Sequence, residues 1–406
     1  MGSNLDDLPE RTATATRRAE AEGSPDAENW SLVQLDEAIA RIDQRIQAQT
    51  RALREHPAFR RLESAWRGLA FLAERIATGP RLRLAVLNLS MDELRKDVAD
   101  TVRDGAIGRF LSTSERAPDL LLADFEFHHG PCELPALRGL AMLCERNAIA
   151  LLAAAGAKLL GLGSLRELSR QSQKLSRTLQ ALEYITFRAF REESAASWVC
   201  LAVPELMIAP GVSGSAAHAL AVCIARAQNA TGWPHIAADG EEYGELRELP
   251  GPVAIDLSYA NENALAGWGL SCLLASRGSD RARFSALPTC QSTGSRAAVG
   301  MDLLSMLCIS RLVRRLLAAL RQLPRPIDRV HLRELCQRWL NDLSDEREDD
   351  STALRRQYPL RNATVCVDLE PWQSGMAVVS LRLRLPRTRA LPPASVQISF
   401  EQSGVY

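Results

Sequence analysis

Asp124, Glu126 and His128 stand at alternate positions, with His129 beside them. On an extended segment that spacing puts two carboxylates and an imidazole on one face, a donor set suited to a divalent metal. No second group of ligands stands at a recognisable spacing, and such a histidine pair is more often hydrogen-bonded structure. Gly156-Ala-Lys-Leu-Leu-Gly161 follows an apolar run and invites comparison with a phosphate loop, yet Leu162-Gly163 occupies the place of the Lys-Ser/Thr pair. A glycine-rich turn from strand to helix is the simpler reading. Ser213, in Gly211-Val-Ser-Gly-Ser215, misses a nucleophile elbow by its final glycine. His218 and Cys223 are five residues apart on one expected helix, which points them in different directions. No catalytic residue, metal ligand or cofactor is therefore assigned. Because triads assemble from distant positions, a hydrolase or metal-binding enzyme stays as the competing class.

The elements that would carry these residues alternate. Leu120 to Phe127 reads as a strand, Leu134 to Asn147 as a helix, Ile149 to Ala154 as a strand, and Trp198 to Val203 as another. Pro204 to Ser215 reads as a loop and Ala216 to Gln228 as a helix. Leu82, Leu84, Val86, Leu87 and Leu89 form a further β-rich stretch before Ser90-Met-Asp-Glu93, a capping box. Ser164-Leu-Arg-Glu167 has the same spacing. This alternation predicts an α/β (mixed α+β) arrangement.

Upstream, Ser31-Leu-Val-Gln34 also caps a helix, and Leu32, Leu35, Ile39, Ile42, Ile46 and Leu53 follow at heptad intervals. A narrow seam of this kind suits packing within the domain or on another subunit equally well. Pro57 interrupts it, and Phe59, Leu62, Trp66, Leu69 and Leu72 restart an amphipathic pattern. Residues 1–30 are polar and small, which predicts a disordered tail. After Ser292, helices are expected over Met301 to Leu323 and His331 to Leu343. Period-two strands follow: Val365, Val367 and Leu369; Ala377, Val379, Leu381, Leu383 and Leu385; Val396, Ile398 and Phe400. Two domains are expected, at 31–292 and 293–406.

Bulk composition narrows the function. Lys+Arg and Asp+Glu balance at 49 each, which argues against a general nucleic-acid or anionic-membrane binder. The 406 residues are 46% hydrophobic and 24% charged, enough for a sizeable core. The nine cysteines include no CxxC pair, consistent with reduced thiols and a cytoplasmic location. Asp6, Asp7 and Glu10 stand where a signal peptide would be basic, so neither a leader nor membrane insertion is expected.

One resemblance gathers these observations. His56-Pro-Ala-Phe59 through Leu62-Glu63 to Trp66-Arg67-Gly68-Leu69 is similar to the HPxF…LE…WRGL signature of the type VI secretion contractile sheath large subunits, the TssC/VipB family. Ala123-Asp124-Phe-Glu-Phe127, Gly161 to Leu168, Leu182-Glu-Tyr184 through Arg188 to Arg191-Glu192, and Leu201 to Leu206 resemble further family segments in order. So do Arg338-Trp339-Leu340-Asn341 and Tyr358-Pro359-Leu360-Arg361-Asn362-Ala363. The resemblance implies a non-catalytic protomer that pairs with a small sheath subunit (TssB/VipA-like). It also implies stacking with its own copies in a helical polymer, around an inner tube protein and on a baseplate. Family protomers are joined by strand exchange, which makes Val379, Leu381, Leu383, Val396, Ile398 and Phe400 the expected subunit interface. Lysine at Val379, Leu381 and Leu383 is expected to oppose strand addition. The pattern departs at Ala123 and at Ile208-Ala-Pro-Gly-Val212, so a divergent adaptor or cap that does not contract is the alternative.

Overall fold

The computed structural model describes residues 31–79, 82–99, 105–113, 118–170, 175–234, 244–249, 251, 253, 255, 257–275, 280–284, 286–292, 302–323, 328–346, 358–369, 376–384 and 394–401. The chain divides into two compact units, residues 1–62 and 63–406. The tail expected over residues 1–30 lies outside the described residues.

In the first unit, helix α1 (Leu32–Glu55) starts on a complete capping box. Ser31 Oγ accepts from Gln34 N at 3.3 Å, and Gln34 Oε1 accepts from Ser31 N at 3.0 Å. The helix ends at His56, and Pro57 opens α2 (Pro57–Arg75) at the position where a missing N–H costs nothing. No residue of α1 is buried.

The second unit is organised on a six-stranded sheet. Its strands are β1 (Leu120–Phe127), β2 (Ala150–Ala155), β3 (Val199–Val203), β6 (Glu245–Leu246), β7 (Leu270–Ala275) and β8 (Ala282–Phe284), in the order β1-β2-β3-β7-β8-β6. The first four are parallel and the last two antiparallel. Helices α3 (Met91–Ala99), α4 (Ala106–Thr113), α5 (Glu133–Arg146), α6 (Leu175–Thr178), α7 (Ile185–Arg191), α8 (Ala216–Thr231) and α9 (Tyr259–Gly267) precede, connect or flank these strands. Every residue of β2 and β3 is buried, as expected of parallel strands covered on both faces. Their side chains alternate between two cores. Leu151, Ala153, Val199 and Leu201 pack in one with α5, and Leu152, Cys200 and Ala202 in the other with α8. The α8 helix is Ala-rich and is capped by Ser215, whose Oγ accepts from Ala217 N at 2.9 Å.

Two local expectations are corrected. Leu82 to Leu89 form no strand: only an isolated bridge joins Gly79 and Leu82, and Leu84, Val86 and Leu87 are exposed. An apolar alternation becomes a strand only where a neighbour completes the ladder. Pro204 to Ser215 is a hairpin instead of a loop, β4 (Glu205–Ala209) paired with β5 (Val212–Ser215). The turn residues Pro210-Gly211 lie at its tip, with Gly211 at φ 75°.

Helix α10 (Leu303–Arg321) contributes to both cores. Helix α11 (Arg329–Asn341) packs on a separate antiparallel sheet of β9 (Asn362–Leu369), β10 (Met376–Arg384) and β11 (Ala394–Glu401), with β10 in the centre.

Candidate assembly surface

Two motif residues, Gly68 and Asp124, meet at His218. Ser64, Gly68, Phe71 and Leu72 share a face of α2, and Ser64 Oγ donates to Ser213 O at 2.7 Å on the β5 hairpin. Gly68 lies against the His218 ring, where an added Cβ would come within 2.6 Å of Nε2. The same Nε2 is 3.5 Å from Asp124 Oδ1, and Nδ1 is 3.3 Å from Ser215 O. Both ring nitrogens thus face acceptors, which a neutral imidazole cannot satisfy together. Burial nonetheless holds His218 below the ordinary imidazole range, against the opposite pull of the Asp124 carboxylate and the Ser215 carbonyl. The Gly68 signature therefore marks a close packing contact.

The residues that suggested chemistry are drawn apart. A bulge between Ala123 and Glu126 breaks the alternation of β1. Asp124 turns to His218, and Glu126 lies over Gly156. His128 pairs with Glu133, Nε2 to Oε2 at 3.3 Å, while its Nδ1 accepts from Gly130 N at 3.1 Å. Among the described residues no three His, Cys, Asp or Glu side chains gather as a metal site. Gly156 to Gly161 forms a short 3₁₀ turn with Leu159 and Leu160 buried, closed by Gly161 in the left-handed region at φ 67°. Burial pushes the Cys223 thiol up to about 12, away from nucleophilic use.

Other motif residues staple loops. Arg191 is buried, donating Nε to Cys290 O and a terminal nitrogen to Gly267 O, both at 2.9 Å. Arg188 donates to Leu179 O at 2.6 Å and Ala181 O at 2.8 Å. Trp339 is partly buried against the core, Pro359 and Leu360 are buried and Tyr358 half-buried. These positions act by satisfying backbone carbonyls or filling the core, roles that a motif comparison alone does not reveal.

What remains is apolar surface. In the first unit Leu32, Leu35, Ile39, Ile42, Ile46 and Leu53 are all exposed along one seam of α1, and Phe59 and Leu62 are exposed as well. His56 ends α1, its Nδ1 accepting from Ala58 N at 3.3 Å. In the second unit Trp66 is 66% exposed and Arg67 is exposed beside it. The terminal sheet differs from expectation: Val379, Leu381 and Leu383 lie on the central strand and are wholly buried. A lysine there would strike the protomer's own core before it could oppose strand addition. Val396 on β11 is half-buried. The side chains of Ile398 and Phe400 lie outside the described residues.

Among the described residues, the first unit exposes the apolar heptad seam of α1, and the second is an α/β unit with a buried core. Comparison with known proteins specifies the class. Residues 36–210 match the family VipB: EvpB/VC_A0108, tail sheath N-terminal domain. The chain is 26% identical over 305 residues to the type VI secretion system sheath protein TssC1 of Pseudomonas aeruginosa, covering 63% of this chain and 61% of that protein. It therefore spans about three fifths of the length of this curated relative. Among solved structures, the sheath tail protein of Desulfitobacterium hafniense is 13% identical, covering 67% of this chain and 61% of that one, at a TM-score of 0.37. The sheath complex of an extracellular contractile injection system in its contracted state is 10% identical, covering 81% and 88%, at a TM-score of 0.44. The family match thus covers residues 36–210, and the similarity to a TssC sheath protein extends over 63% of the chain.

Proposed function

We propose that this chain is a structural, large-subunit-type building block of a bacterial type VI contractile sheath. It assembles with a small sheath subunit into a helical tube that contracts around an inner tube protein. The observation that carries the reading is the α1 seam. A 24-residue helix that overlaps the family-matched segment from residue 36 exposes its apolar heptad positions and buries none of its residues. Burying each such side chain on a partner is worth about 1.5–3 kcal/mol, so the seam favours association strongly. A non-closing contact between identical subunits then extends into a filament.

The terminal sheet supplies a second joint, with the outer edge of β11, including Val396, Ile398 and Phe400, accepting a strand from a neighbour. We place the sheath-domain boundary at 292/293, supported by the separate antiparallel sheet and helix α11 that follow. The protomer carries no catalytic role in this reading and works in the cytoplasm. Among the described residues no helix is long and apolar enough to cross a membrane. Association with a baseplate follows from the same assignment.

Co-purification with the small sheath subunit tests the seam. Replacing Ile39, Ile42 and Ile46 together by glutamine is expected to abolish co-purification while the variant's unfolding midpoint stays within about 0.5 kcal/mol of wild type. Retention of the partner at wild-type yield would refute the assignment of α1.

A further inference from the structure

The two edges of the terminal sheet are not equivalent. Val365 N–H points out of the β9 edge and donates to Gln337 Oε1 at 3.0 Å, while Gln337 Nε2 donates to Ala363 O at 2.8 Å. One amide thus engages the carbonyl of residue 363 and the N–H of residue 365, the two groups that a single residue of an adjoining parallel strand would engage. The amide is itself held from α11, where Nε2 also donates to Asn341 Oδ1 at 2.8 Å. One turn further along the same edge the chain repeats the device with backbone. Leu360 N donates to Leu343 O at 3.1 Å and Asp345 N to Leu360 O at 2.9 Å, a parallel bridge centred on Ser344. Asn362 Nδ2 adds a bond of 2.7 Å to Glu346 Oε1. The β9 edge is therefore occupied from Leu360 to Val365. Among the described residues, β11 pairs only with β10.

We propose that Gln337 is a specificity-determining residue that closes the β9 edge over its first half, so that a strand from a neighbouring copy of this chain is added at β11 in preference to β9. The direction of strand addition rests on the sheath reading above; the closure of β9 does not. Exposed edges are templates for unwanted pairing, and covering one edge leaves a single register and polarity for assembly. A glutamine suits the task because its side-chain amide carries the donor and acceptor of a peptide group at the end of a flexible stem.

The test uses the full chain without partners. In Gln337→Ala, hydrogen exchange at the Val365 amide is expected to rise about tenfold, the loss of its one protecting bond. Mass photometry is expected to show new self-association, through β9 edges of two copies. Adding Thr364→Glu, on the exposed face of β9 opposite Arg382, is expected to suppress that association while leaving exchange fast. Should the alanine variant fail to fold, Gln337→Met is read in the same way, since it keeps the length of the stem and loses both donor and acceptor. Unchanged exchange, or a Gln337 variant that folds and stays as monomeric as wild type, overturns the proposal. Whether wild type forms tubules with the small subunit is measured separately, so failure of the sheath reading and failure of the edge closure are told apart.

Discussion

Gly68 and His218 illustrate how a motif residue works through a contact that its neighbours in sequence do not reveal. Gly68→Ala forces a Cβ to within 2.6 Å of His218 Nε2, a clash with a buried ring that is expected to cost about 1–3 kcal/mol. Thermal unfolding checks this, and His218→Ala in the same chain should recover most of the loss, because the two changes share one contact. His218 also sets a pH dependence. Its folded proton affinity is lowered by burial, so the unfolded chain binds the proton more tightly. The groups facing the ring are the Asp124 carboxylate on β1, the Ser215 carbonyl and the Gly68 backbone. Stability from this site is therefore present above the unfolded value of about 6.5 and falls as pH drops below it. His218→Gln should flatten that part of a pH-stability curve; an unchanged slope would mean the ring does not titrate on unfolding. Arg191 is the third case. Arg191→Met removes two charge-assisted bonds at 2.9 Å, one to the buried Cys290 carbonyl and one to the Gly267 carbonyl, with an expected loss of about 2–3 kcal/mol by denaturant titration.

Elements were legible where a local signal matched the physics that decides them. The Ser31 and Ser90 capping boxes are present, with Ser90 N donating to Glu93 Oε2 at 2.8 Å. The period-two strands at residues 362–369, 376–384 and 394–401 formed where expected. Leu82 to Leu89 failed because alternation states a preference for a sheet and says nothing of whether a neighbour exists. The hairpin over residues 205–215 was hidden behind Pro and Gly, which mark its tip as readily as a loop. Which strand of the terminal sheet is central was also illegible, since Val379 and Val396 carry the same pattern. Only the pairing order makes the first core and the second outer. A prediction follows at this scale. Leu381→Lys, wholly buried on β10, should lower protomer stability by at least about 3 kcal/mol, whereas Thr364→Glu on exposed β9 should change it by less than about 0.5 kcal/mol. Circular dichroism melts separate the two.

At the scale of the whole molecule, the described polar residues Arg188, Arg191 and His218 serve loop staples and close packing, and helix α1 exposes an apolar seam. Motif order along the chain indicated the class before any contact was known. The way in which each motif acts needed the fold, because Asp124, Gly68 and His218 meet only through tertiary packing of α2, β1 and α8. The central claim is that this surface is completed by other sheath subunits. Electron microscopy of the chain co-expressed with the small sheath subunit tests it most directly. The account predicts regular tubules or stacked ring fragments containing both chains; monodisperse monomer, with the small subunit left free in the same lysate, would contradict it.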